Sequence, residues 1–393
     1  MRTSTSYAQV RALAVLFAAL FLASCIGIPG ADNRGPTAIV TEAPLSGVPQ
    51  GQVIGDGAVT VAMLVPMTAG GSASGLAQSF VNAAELAMNE VTTDNIRIVV
   101  RDTRGETDTA RLAAEAAVTE GAQLILGPVF SPAVAGAADA ARAAGIPVIA
   151  FSTDASVAGR GVYLLSFLPR QDASRIVRYA IRQGGRSAFA AMVPDNGYGI
   201  VSEAAFREAV AAAGSRVVGV ERYTPETLTT AAQALSGRGA FDALFVPNGG
   251  NDPAAVANAT RNVGITAQLL GSGQWDNQAV RNDAALVGAV YPGPKEGGFA
   301  DFARRYQAAF GAEPPRTASL IYDAALLANG LVGARGPGAF RPQSLEGREG
   351  FIGIDGIFRF NSSGLSERGL AVYEVQAGGG ARVVAPAPTA FGQ

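Results

Sequence analysis

From Val59 onward, apolar runs of strand length alternate with longer stretches whose apolar residues recur at helical spacing. "VTVAMLVP" (59–66) is apolar almost throughout, the pattern of a parallel strand buried on both faces. "SGLAQSFVNAAELAMNEV" follows, with Leu76, Phe80, Ala84 and Met88 on one helical face. The strand "IRIVVRDT", the helix "ARLAAEAAVTEG" with Gly121 as its stop, and the strand "AQLILGP" continue the alternation. Residues 126–153, "LGPVFSPAVAGAADAARAAGIPVIAFST", then give strand end, turn, helix and strand. Repetition of βα units with short turns predicts an α/β fold with parallel sheets flanked by helices on both sides.

A second series starts after Pro169. Helices are expected at "ASRIVRYAIRQGG", "IVSEAAFREAVAAAG", "LTTAAQALSG" and "DPAAVANATRNVG", the last with Asp252 as N-cap and Pro253 in the first turn. Strands are expected at "SAFAAMVP", "SRVVGVERY", "FDALFVP" and "AQLLGS". Two α/β series in one chain predict two lobes with a cleft between them. After "YPGP" (291–294) come the helices "GFADFARRYQAAFG" and "TASLIYDAALLANGLVGA". An antiparallel hairpin region follows, "GFIGIDGIFRFNSSGLSERGLAVYEVQAGGGARVV", with turn residues between alternating apolar positions. The last residues, 387–393, read as a disordered tail.

The front of the chain has a different pattern. In "MRTSTSYAQVRALAVLFAALFLASC", Arg2 and Arg11 precede an apolar run from Ala12 to Ala23. Such a run is too short for a stable span, which needs ~20 residues, and reads as a signal peptide over 1–24. Its end, "LASC", resembles the lipobox of bacterial lipoproteins, which implies that Cys25 carries lipid. A coincidental cysteine behind an ordinary signal peptide is the competing reading; the chain's single cysteine standing at this one position favours lipidation. Ile26, rather than aspartate, follows the cysteine and favours the outer membrane, with the protein facing the periplasm. Residues 25–57, rich in Gly, Pro, Ser and Thr, are expected to form a flexible tether.

Composition removes several classes of chemistry. The 393 residues contain no histidine, which excludes Ser-His-Asp and Cys-His catalysis and His-type zinc sites. One cysteine excludes disulfides within the chain and cysteine-cluster metal sites. A formal net charge of −2 argues against nucleic-acid binding. "GGSASG" (70–75) resembles the glycine-serine stretch of amidases, but the only lysine, Lys295, lies far along the chain. No dinucleotide or P-loop fingerprint occurs. The sequence therefore predicts a protein that is not an enzyme and needs no cofactor.

The segment order, with "PMTAGGSASG", "GPVFS", "PVIAFST", "DNGYG", "GSGQWD", "FGAEP" with "YDAALLANGL", and "FIGIDGIFRF", resembles the type I periplasmic binding fold of the leucine/isoleucine/valine-binding-protein-like family. The resemblance runs from Ala58 to about Val384. "VIAFSTDASVAGRGVYLL" and "LLGSGQWD" are most similar to penicillin-binding protein activator lipoproteins, which share the fold. It implies two lobes joined by three hinge crossovers, here near 168, 293 and 350. Lobe 1 is then 58–168 with 294–349, and lobe 2 is 169–293 with 350–386.

The resemblance also implies a ligand site. Ser131, followed by Pro132, reads as the N-cap of its helix and, in the family, as the serine that holds a ligand carboxylate. Ser152, Thr153 and Asp154 at the next strand exit would assist it. Tyr198 matches a family position, and Trp275 could supply a flat wall. Elsewhere the pattern departs. Ser74 and Asn251 stand where aromatic residues cover an amino-acid ligand, and the acid that pairs its ammonium falls at Gly273, with Asp276 close by. Two functions stay open. The preferred one is a regulator of penicillin-binding proteins that binds leucine, isoleucine and valine poorly. The other is a lipoprotein that delivers an amino acid or another small polar or anionic solute to an ABC permease.

Overall fold

A computed structural model describes residues 51–391 of the chain. Cys25, the signal peptide and most of the expected tether lie outside the described residues. Among those described, the first lobe holds β1 (Val53–Ile54), β2 (Val59–Val65), α1 (Ala73–Glu90), β3 (Ile96–Asp102), α2 (Thr107–Thr119), β4 (Leu124–Leu126), α3 (Ser131–Ala144), β5 (Val148–Ala150) and β6 (Val162–Leu164). The second lobe holds α4 (Pro169–Arg182), β7 (Ala188–Pro194), α5 (Gly197–Ala212), β8 (Arg216–Tyr223), α6 (Leu228–Ser236), β9 (Ala243–Phe245), α7 (Asp252–Asn262), β10 (Gln268–Leu270), α8 (Gln278–Arg281) and β11 (Val290–Gly293). The chain then returns through α9 (Gly298–Phe310), α10 (Ala318–Arg335), α11 (Pro342–Leu345), β12 (Phe351–Gly353), β13 (Gly356–Phe360) and β14 (Ser366–Arg368). It closes the second lobe with β15 (Ala371–Val375) and β16 (Ala381–Ala385).

The first sheet has the order β1-β3-β2-β4-β5-β6 and the second β16-β15-β11-β10-β9-β7-β8. Strands β2 to β6 pair in parallel, as do β7 to β11, and the antiparallel partners β1, β15 and β16 are added at sheet edges. β2 and β7 are buried along their whole length because helices cover both faces of each sheet. In the first lobe, α1 and α10 pack on one face with Phe80, Phe302 and Tyr322, and the alanine-rich α2 and α3 pack on the other. In the second, α4 and α5 oppose α6 and α7.

Three boundaries differ from the sequence expectation. The ordered fold begins before residue 58, since Val53 and Ile54 pair with Val99 and Ile98 at the sheet edge. The third crossing lies at Gly369, not near 350. β12–β14 form their own antiparallel sheet, and Phe358 and Phe360 are buried in the first-lobe core, where Tyr163 meets Phe360 at 5.3 Å. Only with Ala371, opposite Gly293, does the chain join the second sheet. The tail is not loose at 387–391: Pro388 lies against Gly369 and Phe391 against Arg359.

β6 runs parallel to β5 and β11 runs parallel to β10, and the chain leaves the first lobe after β6 and the second after β11. The C-terminal ends of both sheets therefore point toward the crossings. The loops after β4 and β5 form one side of the interlobe cleft, and those after β7, β9 and β10 form the other, the usual place for ligands in open α/β sheets.

Candidate functional site

β4 and β5 are neighbours in register, so their exits lie side by side. At the first exit the helix begins on Ser131 itself. Phe130 is the N-cap in extended conformation, and no side chain caps the first turn. Ser131 is thus already helical, which takes its hydroxyl out of the N-cap geometry expected for it. At the second exit Ser152 is buried, and its Oγ accepts the Asp154 amide at 3.1 Å. The Asp154 carboxylate accepts from Ser156 Oγ at 2.6 Å and from Ser156 N at 3.0 Å. These bonds, the Ser156 hydroxyl foremost, hold Asp154 below the usual carboxylate range, and Ser131 adds a smaller contribution. Ser131, Ser152 and Asp154 are thereby brought together, with Thr153 exposed between them. Phe130, 37% exposed beside this crevice, escapes a reading that looks only for the serine.

On the second-lobe side, the loops after β9 and β10 are tied together. Ser272 Oγ donates to Pro247 O at 2.5 Å, and Tyr198 OH lies 3.3 Å from both Ser272 Oγ and Pro247 O. Burial raises the Tyr198 phenol above its ordinary pKa, so it is held here as a neutral hydroxyl. Trp275 is 0% exposed and donates from Nε1 to Asn248 O at 2.8 Å. A Cβ on Gly271 would lie 2.2 Å from the indole, so the ring packs in the second-lobe core beneath the loops and offers no wall to the cleft. Asn251 is the exposed N-cap of α7 and makes no side-chain cap; Asp252, expected as the cap, is the first helical residue and accepts from Asn248 Nδ2. Asp276 is ion-paired with Arg281, which already answers its charge.

A carboxylate does stand against the backbone of Gly273. Asp172, in the first turn of α4, accepts the Gly273 amide at 2.9 Å, and a Cβ on Gly273 would stand 3.0 Å from Asp172 Oδ2. Burial pushes this carboxyl up to about 7, while the Gly273 amide and the Arg368 guanidinium pull it back. The residue as a whole is half-buried. Its partner is 101 residues away in sequence, which is why motif reading misses it; alone, an acid in a first helical turn reads as a helix-dipole partner. Behind it, Arg368 sends Nε to Ser166 O at 3.3 Å. Its guanidinium carbon lies 4.7 Å from the Phe167 ring centre.

Two α/β lobes with facing strand ends, one side carrying hydroxyls and the other a phenol and a carboxyl, define a cleft-type ligand-binding protein. The profile of the family described as periplasmic binding protein matches residues 58–380, and the chain belongs to that family. No curated protein sequence matches significantly. Among solved structures, a putative branched-chain amino acid ABC transporter protein from Rhodospirillum rubrum is 20% identical, with 83% of this chain and 99% of that one aligned at a TM-score of 0.71. A leucine binding protein from Thermotoga maritima is 20% identical over 84% of this chain and 98% of its own, with a TM-score of 0.57. A solute binding protein of an ABC transporter from Rhodopseudomonas palustris, in complex with 3,4-dihydroxybenzoic acid, is 20% identical over 84% and 96%, with a TM-score of 0.59. At this identity the likeness establishes the type I periplasmic binding fold.

Proposed function

We propose that the chain is a non-catalytic, periplasm-facing receptor for a small polar solute bearing an amine, which it delivers to an ABC permease. The observation that carries this reading is the Asp172 carboxyl on Gly273, beside Tyr198, where a bound amine would need an anion. The hydroxyls at Ser131 and Ser152 suit the opposite, anionic end of such a solute. Family membership and the solute-binding proteins of similar fold support the transport role over the regulatory one. With Asn251 exposed and Ser74 small, nothing aromatic at those positions covers a branched aliphatic side chain, so a polar solute suits the cleft better than leucine, isoleucine or valine.

Native mass spectrometry of the purified protein, followed by calorimetry with the eluted solute, tests the reading. Asp172→Ala is expected to weaken an amine-bearing solute about ten- to hundredfold, through loss of one charge-assisted hydrogen bond of about 1.5–3 kcal/mol. An empty cleft, no binding of any amine, and recovery of a penicillin-binding protein by crosslinking from membranes would favour the regulator instead. The bare rim at Ser74 and Asn251 is the feature that keeps that second reading.

We further propose that Cys25 anchors the protein by lipid. Cys25→Ala is expected to move it from the detergent phase to the aqueous phase in a partition experiment; unchanged partition would remove the anchor from the reading. Among the described residues no helix is long and apolar enough to cross a membrane.

A further inference from the structure

Residues 386–391 leave the edge strand β16 in the second lobe and end on the first. Pro386 O accepts from Arg175 Nη2 at 3.3 Å, and the same arginine sends Nε to Leu370 O at 2.6 Å, so one side chain of α4 holds both this segment and the third crossing. Ala387 packs on the second-lobe core. Pro388 then lies over the crossing itself: a Cβ on Gly369 would meet Pro388 O at 3.1 Å and Pro388 Cγ at 3.2 Å, with Ile357 Cγ1 on its other side at 2.7 Å. Phe391 reaches the first lobe. Arg359 of β13 stands over its ring at 4.5 Å, and a Cβ on Gly350 would lie 3.0 Å from the ring edge. Arg359 is itself held by Glu367 of β14 at 2.6 Å, so the ring docks on a fixed guanidinium.

We infer that residues 386–391 form a strap across the hinge, a fourth connection between the lobes that is closed by the docking of Phe391 under Arg359 and limits how far the lobes swing apart. The covalent reach of the segment sets that limit. From Ala385 the six residues to Phe391 span at most about 3.3–3.6 Å each, and Pro386 and Pro388 remove much of their freedom to rearrange. A strap fixed at Arg175 on one lobe and at Arg359 on the other cannot follow a wide opening unless Phe391 leaves its seat. This holds whatever occupies the cleft, so it stands apart from the proposed ligand.

Spin labels on Asp139→Cys in α3 and Gln233→Cys in α6, both exposed, read the interlobe distance in the full chain carrying Cys25→Ala. The parent is expected to give one narrow distribution. Phe391→Ala and deletion of 388–393 should each add a longer-distance population, to the same extent, and combining Arg359→Ala with Phe391→Ala should add nothing further. Phe391→Tyr, which keeps the ring, should restore the narrow distribution. If the deletion does not fold, the two point variants at Phe391 decide alone. Unchanged distances in Phe391→Ala, or a loss of melting temperature with the distance distribution intact, would reduce the segment to a cover for the second-lobe core and overturn the strap.

Discussion

Trp275→Ala is expected to lower the stability of the folded chain by about 3–5 kcal/mol, read as a shift in denaturant midpoint at constant slope. The indole is 0% exposed among Val280, Leu286, Tyr291 and Tyr373, and its ring lies 6.4 Å from that of Tyr291 at a tilt. Removing it leaves a cavity under two cleft loops and frees the Asn248 carbonyl from its hydrogen bond. Trp275→Phe keeps most of the volume and should cost about 1–2 kcal/mol, chiefly the lost Nε1 bond and the remaining gap. Were the indole a cleft wall instead, Trp275→Ala would change stability by less than about 1 kcal/mol, a surface effect, and its consequence would appear in ligand affinity alone.

The contrast at Trp275 shows where sequence reading ends. An aromatic residue after "GSGQ" fits a wall or a core equally well, and the decision lies with Gly271, whose missing side chain makes room for the ring. The alternation of strands and helices was legible because short, near-continuous apolar runs alternate with longer stretches at helical spacing. β6 was not, since three residues buried after a turn present too short a pattern. The alternation in "FIGIDGIFRF" announces a sheet but cannot say which lobe it covers, and that placed the third crossing some twenty residues early. Phe358 and Phe360, packing with Tyr163 and Phe351, settle it in the structure. The juxtaposition of Ser131 and Ser152 was readable from local strand-end chemistry, since β4 and β5 are neighbours. Asp172 was not, because its meaning depends on a glycine brought to it by folding.

Two carboxyls near the crossings should make the protein's pH behaviour unusual. Burial pushes both Asp172 and Asp323 up to about 7. Asp323 faces the Ile354 amide, Asp355, Arg368 and Arg316; its Oδ1 accepts from Ile354 N at 2.9 Å, and its Oδ2 is buried without a partner among the described residues. An unfolded aspartate titrates near 4, so between about pH 4 and about pH 7 the folded chain holds more protons than the unfolded one. These two groups therefore make stability fall as pH rises through that window. Asp323→Asn, which keeps the Oδ1 bond and carries no charge, should raise stability by about 2–4 kcal/mol at about pH 8 and change little at about pH 4. A loss at pH 8 would instead mean that an ionised Asp323 is paired with Arg368.

Asp172 should act on binding with the opposite sign. Only its ionised form can pair with an amine, so the affinity for an amine-bearing solute should rise about tenfold per pH unit up to about 7 and level off above it. In Asp172→Asn the affinity should be low and flat with pH, while in Asp323→Asn the rise should persist. Calorimetry at several pH values, in buffers of different ionisation enthalpy, would also register a proton released on binding to the parent and none in Asp172→Asn. An affinity independent of pH in the parent would separate Asp172 from the solute and leave it a hinge residue that holds the Gly273 loop.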